Sequence, residues 1–257
     1  MSAQITSTTT SPARPAATGA APFWSCVLAQ TRAELTMTLR RGESLLITVF
    51  IPVVLLIAFA WLKVGGTNFL VPGVMALALM STGMVSLSIA TGYERYYGVL
   101  KRLGASPLSR GGLILAKTLS VVVIEVAQMV LLALLGFLFL GWRPNGSILL
   151  YIIAFLLGTA AFSGLGMLMA GALRAEATLA GANGLYLLFI LIPGTVLPIS
   201  KLPDFLQGVA SVLPAAALSD ALYGATVAGA FHASSLIALL IWGIIFLGAA
   251  AFTFKWE

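Results

Sequence analysis

Long apolar segments separated by short polar ones occupy most of the chain. Six of them approach or exceed the roughly 20 residues that a helix needs to cross the hydrocarbon core of a bilayer. These segments cover residues 45–62, 69–92, 113–140, 148–173, 177–197 and 235–254. The pattern therefore predicts an all-α membrane protein in which residues 45–257 form one domain with six transmembrane helices.

Two segments of different character precede the first predicted span. Residues 1–22 are rich in Ser, Thr, Ala and Pro and hold no apolar run, which predicts a disordered cytoplasmic tail and not a signal peptide. Residues 23–44 mix apolar positions such as Trp24, Leu28 and Leu39 with polar ones, which predicts an amphipathic helix on the membrane surface. The Arg40-Arg41 pair resembles a twin-arginine export signal, but no cleavage site follows it, which favours a basic anchor on the inner side.

The passage between the fifth and sixth predicted spans is apolar but broken by prolines. Its pieces are about ten residues long, which is too short to cross a bilayer. We therefore predict two re-entrant helices, at residues 203–213 and 215–229, that dip back from the outer face and pack against the bundle. The alternative is a loop that lies on the outer surface.

One long charged passage, from Tyr93 to Arg110, interrupts the apolar pattern. On a single helix its tyrosines and leucines fall on one side and its charged residues on the other. The passage therefore predicts one amphipathic helix. Gly104 and Pro107 mark its end, because proline disfavours a helical conformation in the residue before it.

Composition places the chain in the membrane class. Hydrophobic residues make up 60% of it and charged residues 9%, against the roughly 25% charge of a soluble domain. The single cysteine, Cys26, and the single histidine, His232, exclude an intrachain disulfide and a histidine pair for a metal.

The basic residues predict the orientation. Of the 14 Lys and Arg residues, 11 fall on one side if both termini are cytoplasmic, and only Lys63, Arg143 and Lys201 fall on the other. This asymmetry predicts cytoplasmic termini in a multi-pass protein of the cell membrane. It also accounts for the net charge of +6 without a nucleic-acid partner.

The charged passage resembles the cytoplasmic coupling segment of ABC-2 type transporter permeases, including those of the daunorubicin-resistance type. The resemblance rests on Glu94-Arg95, Gly98-Val99-Leu100, Lys101-Arg102 and Ser106-Pro107, and it extends to the length and the six spans of most of the chain. It implies that this passage docks on a separate ATPase subunit. The residues implied at that interface are Tyr93, Glu94, Arg95, Tyr96, Tyr97, Gly98, Leu100, Lys101, Arg102, Leu103 and Pro107. The alternative is a helix that only rests on lipid headgroups.

Nucleotide chemistry is not expected in this chain. The stretch from Gly111 to Thr118 resembles a phosphate-binding loop, but it runs directly into an apolar helix and no strand precedes it. Known catalytic motifs are missing as well, so we expect no catalytic residue, metal or cofactor in this chain. The resemblance to ABC-2 permeases implies that ATP and Mg bind to the partner ATPase. It also implies a second permease subunit, identical or related.

Glu125 is the one acidic residue inside the third predicted span, and Gln128 lies one turn further on. A charge at mid-bilayer costs roughly 2.5–3.5 kcal/mol on insertion scales, so a retained carboxyl usually faces the bundle interior or a wet cavity. The two residues either line a substrate path or make an interhelical contact, and the contact is the favoured alternative.

The implied function is export of a hydrophobic small molecule, drug or lipid by alternating access. Alternatives are a polysaccharide, glycolipid or haem-type cargo, or a membrane anchor or regulator that transports nothing.

Overall fold

The computed structural model describes residues 22–40, 42–63, 66–191, 212–227 and 232–253. No β-strand occurs in these ranges, which confirms the predicted all-α class. The α-helices are α1 (Phe23–Arg40), α2 (Gly42–Trp61), α3 (Thr67–Met80), α4 (Leu87–Tyr96), α5 (Val99–Gly104), α6 (Arg110–Phe139), α7 (Ile148–Ala172), α8 (Ala175–Leu191), α9 (Pro214–Thr226) and α10 (Ala233–Thr253). A π-helical turn, Ser81–Ser86, joins α3 to α4.

Several of these helices can cross a membrane by length and composition. The long apolar ones are Thr67–Tyr96, Arg110–Phe139, Ile148–Ala172 and Ala233–Thr253. Shorter apolar helices, Thr48–Trp61 and Ala175–Ile190, lie at the predicted first and fifth spans. The chain is therefore a multi-pass membrane protein, and the count of six crossings stays a prediction.

Local signals in the sequence set the helix boundaries. The Ser109 hydroxyl accepts a 3.0 Å hydrogen bond from the Gly112 amide and caps the start of α6. Gly141 has a φ of 65°, which ends α6 and turns the chain towards α7. The end of the bundle with this turn is called the outer end, after the predicted orientation, and the end with α5 is called the inner end.

The helix α1 lies along the inner part of α6. Val27, Thr31 and Glu34 form its buried face, while Trp24 and Leu28 stay exposed. The predicted helix is therefore present, and one face of it belongs to the bundle. Its position on a membrane surface stays a prediction.

The helix α9 lies where the second re-entrant helix was predicted. The Trp242 indole, in the middle of α10, donates a 2.9 Å hydrogen bond to the Val212 carbonyl just before α9. At the other end of α9, the Ala225 carbonyl accepts a 2.9 Å bond from the Ser147 amide at the outer turn. This helix therefore runs from the middle of α10 to the outer end and is buried along most of its length. Two other predicted segments lie outside the described residues. They are the re-entrant helix at 203–213, except Val212 and Leu213, and the tail at 1–22, except Pro22.

Small residues let the spans approach closely. An ideal Cβ added to Gly166 of α7 would lie 2.8 Å from the Gly83 carbonyl oxygen of the π-helical turn. One added to Gly164 would lie 2.8 Å from the Leu247 amide of α10. These glycines therefore pack helices within one chain, because their backbones touch where a side chain would not fit.

We expect the Gly166→Ala variant to be less stable by about 1–3 kcal/mol, because its methyl group meets backbone atoms that cannot rotate away. The matched control is Gly184→Ala, since nothing lies within 4 Å of a Cβ at Gly184. Thermal unfolding of the two purified variants in detergent measures the difference. Equal midpoints for the two variants would contradict the described packing of α7.

Candidate functional site

A glycine divides the charged passage into two helices. Gly98 has a φ of 71°, and this left-handed residue separates the end of α4 at Tyr96 from the start of α5 at Val99. The prediction of one continuous amphipathic helix is therefore wrong. The predicted stop is confirmed, because α5 ends at Gly104, ahead of Pro107.

A buried ion cluster lies directly beneath this passage. The Lys117 ammonium of α6 lies 2.6 Å from the Glu94 carboxylate of α4 and 2.9 Å from the Glu34 carboxylate of α1. Lys117 has no exposed surface, and both acids are at most 7% exposed. We call these three residues the ion triad. It ties three helices together at the inner end.

The triad needs all its members. A buried charge is costly unless it is paired, and removing one partner of a buried pair typically costs about 3–5 kcal/mol. Here one ammonium serves two carboxylates. Loss of Lys117 would therefore leave two acids buried together, at the point where α1, α4 and α6 meet.

Arg95 makes a second attachment. Its Nη1 donates a 2.7 Å hydrogen bond to the Gly171 carbonyl, and its Nη2 donates to the Leu173 carbonyl. These carbonyls lie at the C-terminal end of α7, where a cation is favoured by the helix dipole. Arg95 therefore fixes the passage to α7.

The rest of the passage divides into buried and exposed residues. Leu100 is fully buried in an apolar cluster that includes Val27 and Leu113. Leu103 packs against that cluster at its edge. The predicted common face of tyrosines and leucines is therefore wrong, because the break at Gly98 sends them in different directions.

Four of the exposed side chains lie close to the Gly98 break, and we call them the exposed tip. They are Tyr96, Tyr97, Lys101 and Arg102. Tyr96 is 66% exposed and Tyr97 is 68% exposed, with ring centroids 5.1 Å apart. Pro107 is exposed as well, further along the chain. Tyrosine and arginine are among the residues enriched where proteins bind one another.

The comparison with protein families identifies the family of the chain. The sequence model of the ABC-2 type transporter family matches residues 25–227. The chain belongs to that family. No curated protein matches the chain in a direct comparison.

The match covers most of the elements described above. It extends from α1 to the end of α9, and so includes the ion triad, Arg95 and the exposed tip. An ABC-2 membrane domain is a transport permease and not a catalytic domain, so the chain is a transporter permease subunit. Such permeases generally pair with an ATPase subunit and form dimers.

Glu125 of the permease is buried between helices. The Thr159 hydroxyl of α7 donates a hydrogen bond to its Oε2, while its Oε1 faces Gly83 of the π-helical turn. No partner for Oε1 occurs among the described residues. These contacts fit the interhelical alternative, and a role in a substrate path stays a prediction.

Gln128 joins three elements of the permease. It accepts a 2.8 Å hydrogen bond from the Thr82 hydroxyl of the π-helical turn and donates a 3.0 Å bond to the Thr48 carbonyl of α2. Widened helical turns of this type often occur at functional sites. The polar contacts of α6 therefore converge on the turn that interrupts the second apolar span.

A cleft of about 560 Å³ opens between α2, α4 and α8. Its lining extends from Tyr93 and Tyr97 at the inner end to Ser81 and Tyr186. Hydroxyl and amide groups mix with apolar side chains there. Glu94 is the one acidic residue among those that line the cleft. Such a mixture is typical of sites for small organic molecules.

Sequence reasoning did not assign Glu34, Lys117 or Thr159 to any site. Lys117 was counted among the basic residues of the inner side and lay within the rejected phosphate-loop motif. The available signal was a lysine seven residues inside the third apolar helix, because a lysine so placed needs an acidic partner. Which acids supply the partner depends on helix packing.

We expect Lys117→Met to lower the free energy of unfolding by about 3–5 kcal/mol, because Glu34 and Glu94 lose their shared cation while buried. Lys117→Arg keeps the charge and should lose less. The control is Lys101→Met at the exposed tip, which should change little. Thermal unfolding in detergent tests this, and a Lys117→Met midpoint equal to that of the parent would show that the triad is not an ionic anchor.

Proposed function

We propose that this permease is the membrane subunit of an ATP-driven exporter and that its exposed tip docks on a separate ATPase subunit. ATP and Mg bind to that partner. Two permease subunits, identical or related, complete the transporter. The cargo is a hydrophobic small molecule, drug or lipid that leaves the cytoplasm by alternating access.

The attachment of the exposed tip to the bundle carries the proposal. A coupling element must pass a movement to the spans without bending. Glu94 and Arg95 lie at the base of the tip and are bonded to α6 and α7, while Tyr96, Tyr97, Lys101 and Arg102 remain free of the core. The tip makes the contacts with the ATPase, and its base attaches the tip rigidly to the bundle. We therefore assign Glu94 and Arg95 to the base and not to direct contact with the ATPase.

A movement of the exposed tip can be transmitted to the bundle through the second apolar span. The helix α4 continues from Glu94 and Arg95 into the π-helical turn, where Thr82 bonds to Gln128 of α6. Of the most apolar stretch in this span, 89% is buried inside the protein. A displacement of the tip would therefore reach the middle of the bundle, because packed interiors move as units.

The cleft next to the tip is the candidate path for the cargo. It borders Tyr93 and Tyr97 at the inner end and Ser81 halfway along the second span, so a molecule from the cytoplasm would enter beside the coupling passage. Its lining favours an amphipathic molecule with few charges, because the hydroxyl and amide groups are spaced among apolar side chains. This favours a hydrophobic cargo.

Substitutions at the exposed tip test the docking. We expect the combined change Tyr96→Ala, Lys101→Glu and Arg102→Glu to weaken binding of the proposed ATPase partner by about tenfold or more, because aromatic and Arg anchors dominate interfaces. The variant should fold normally, since the altered side chains contact solvent. Co-purification and titration with the purified ATPase measure the loss.

The matched control is Lys63→Glu, which alters a basic residue at the outer end. It should leave ATPase binding unchanged. If the tip variant retains full ATPase binding, the tip is not the docking element. If the parent chain binds no ATPase at all, the chain acts as an anchor or regulator instead of an exporter subunit.

A further inference from the structure

A second pocket lies at the outer end of the permease, away from the cleft. It has a volume of about 410 Å³ and opens between α6 and α7 just below the outer turn. Val130 on one rim is 55% exposed and Ile148 on the other is 74% exposed. Both rims therefore belong to surfaces that face lipid in a membrane, and the pocket is continuous with the hydrocarbon.

The floor of this pocket is apolar. Met75, Met129 and Trp142 supply most of it. Most polar groups nearby have partners: the Thr226 hydroxyl donates to the Leu222 carbonyl, and the Tyr151 hydroxyl lies 3.5 Å from the Met75 sulfur. The exception is the indole N–H of Trp142, which has no hydrogen-bond partner among the described residues. A molecule inside the pocket thus finds little to hydrogen-bond, and hydrocarbon is the chemistry that fits.

A positive charge lies at the outer edge of the same groove. The Arg143 guanidinium sits 4.0 Å from the centre of the Phe137 ring. Phe137 follows Ala133, a lining residue, by one turn of α6, so it continues the same wall towards the outer end. The guanidinium therefore lies where an apolar chain in the pocket would meet the headgroup region.

We propose that this pocket binds one glycerophospholipid of the outer leaflet, with an acyl chain on Met75 and Trp142 and the phosphate on Arg143. A guanidinium pairs with phosphate through charge-assisted hydrogen bonds. An anionic headgroup is preferred over phosphatidylcholine, because the choline ammonium offsets the attraction to Arg143. This site is separate from the proposed cargo path.

The bound lipid also braces the re-entrant helix. Ala225 and Thr226, the last residues of α9, line the pocket together with Met75 of the second apolar span. Their carbonyls accept hydrogen bonds from the amides of Gly146 and Ser147 in the outer turn. An acyl chain in the pocket would fill the space beneath these contacts.

Brominated phospholipids test the site, because bromine on an acyl chain quenches a tryptophan that it touches. The full chain is reconstituted with brominated phosphatidylglycerol or brominated phosphatidylcholine. The signal that disappears in Trp142→Phe is assigned to Trp142. We expect phosphatidylglycerol to reach half-maximal quenching of Trp142 at a lipid fraction about threefold lower than phosphatidylcholine does. A preference of this size is what one exposed ion pair contributes.

Three variants separate the parts of the proposal. Arg143→Gln should abolish the preference between the two lipids, while Lys63→Gln, which removes another outer cation, should keep it. Ala133→Phe should fill the groove and reduce the quenching of Trp142 by both lipids. Equal quenching by both lipids in the parent would indicate non-specific contact with bulk lipid and overturn the proposal. An unchanged preference in Arg143→Gln or unchanged quenching in Ala133→Phe would overturn it as well.

Discussion

A buried ammonium shared by two carboxylates is the constraint on which the inner end of this permease depends. Lys117 can remain charged in the interior only while Glu34 and Glu94 stay within hydrogen-bonding distance. That requirement fixes the positions of α1, α4 and α6 together. Sliding any of these helices would separate a buried charge from its partner, so the three behave as one body.

The charged passage is attached to this rigid group of helices. Its base is bonded to α6 by Glu94 and to α7 by Arg95, and Gly98 then turns the chain so that α5 leaves the axis of α4. The break lets Leu100 enter the apolar core while Tyr96 and Tyr97 remain in solvent. On one continuous helix Tyr96 and Leu100 would lie on the same face, and so in similar surroundings. The contacts of Glu94 and Arg95 therefore hold the exposed tip rigidly against the bundle.

The sequence predicted the all-α membrane class because the signals for it are local. Apolar length and proline positions indicate the apolar helices and α9, and the order of the charged residues indicates the ABC-2 family. The ion triad was missed because its members come from three segments that only packing brings together. The break at Gly98 was missed because the amphipathic pattern continues across it. The signal was the glycine itself, since glycine is the residue that most readily takes a left-handed conformation.

The most direct test of the rigid attachment is a distance measurement within one subunit of the assembled transporter. Spin labels at Ala105→Cys, directly after α5, and at Arg32→Cys, in a Cys26→Ser background, report the separation of α5 from α1 by electron paramagnetic resonance. We expect the same distance distribution in the nucleotide-free and ATP-bound states, and a broader one when Lys117→Met is added. A clear shift of the distance on binding ATP to the parent would show that the tip moves independently of the bundle and would contradict this account.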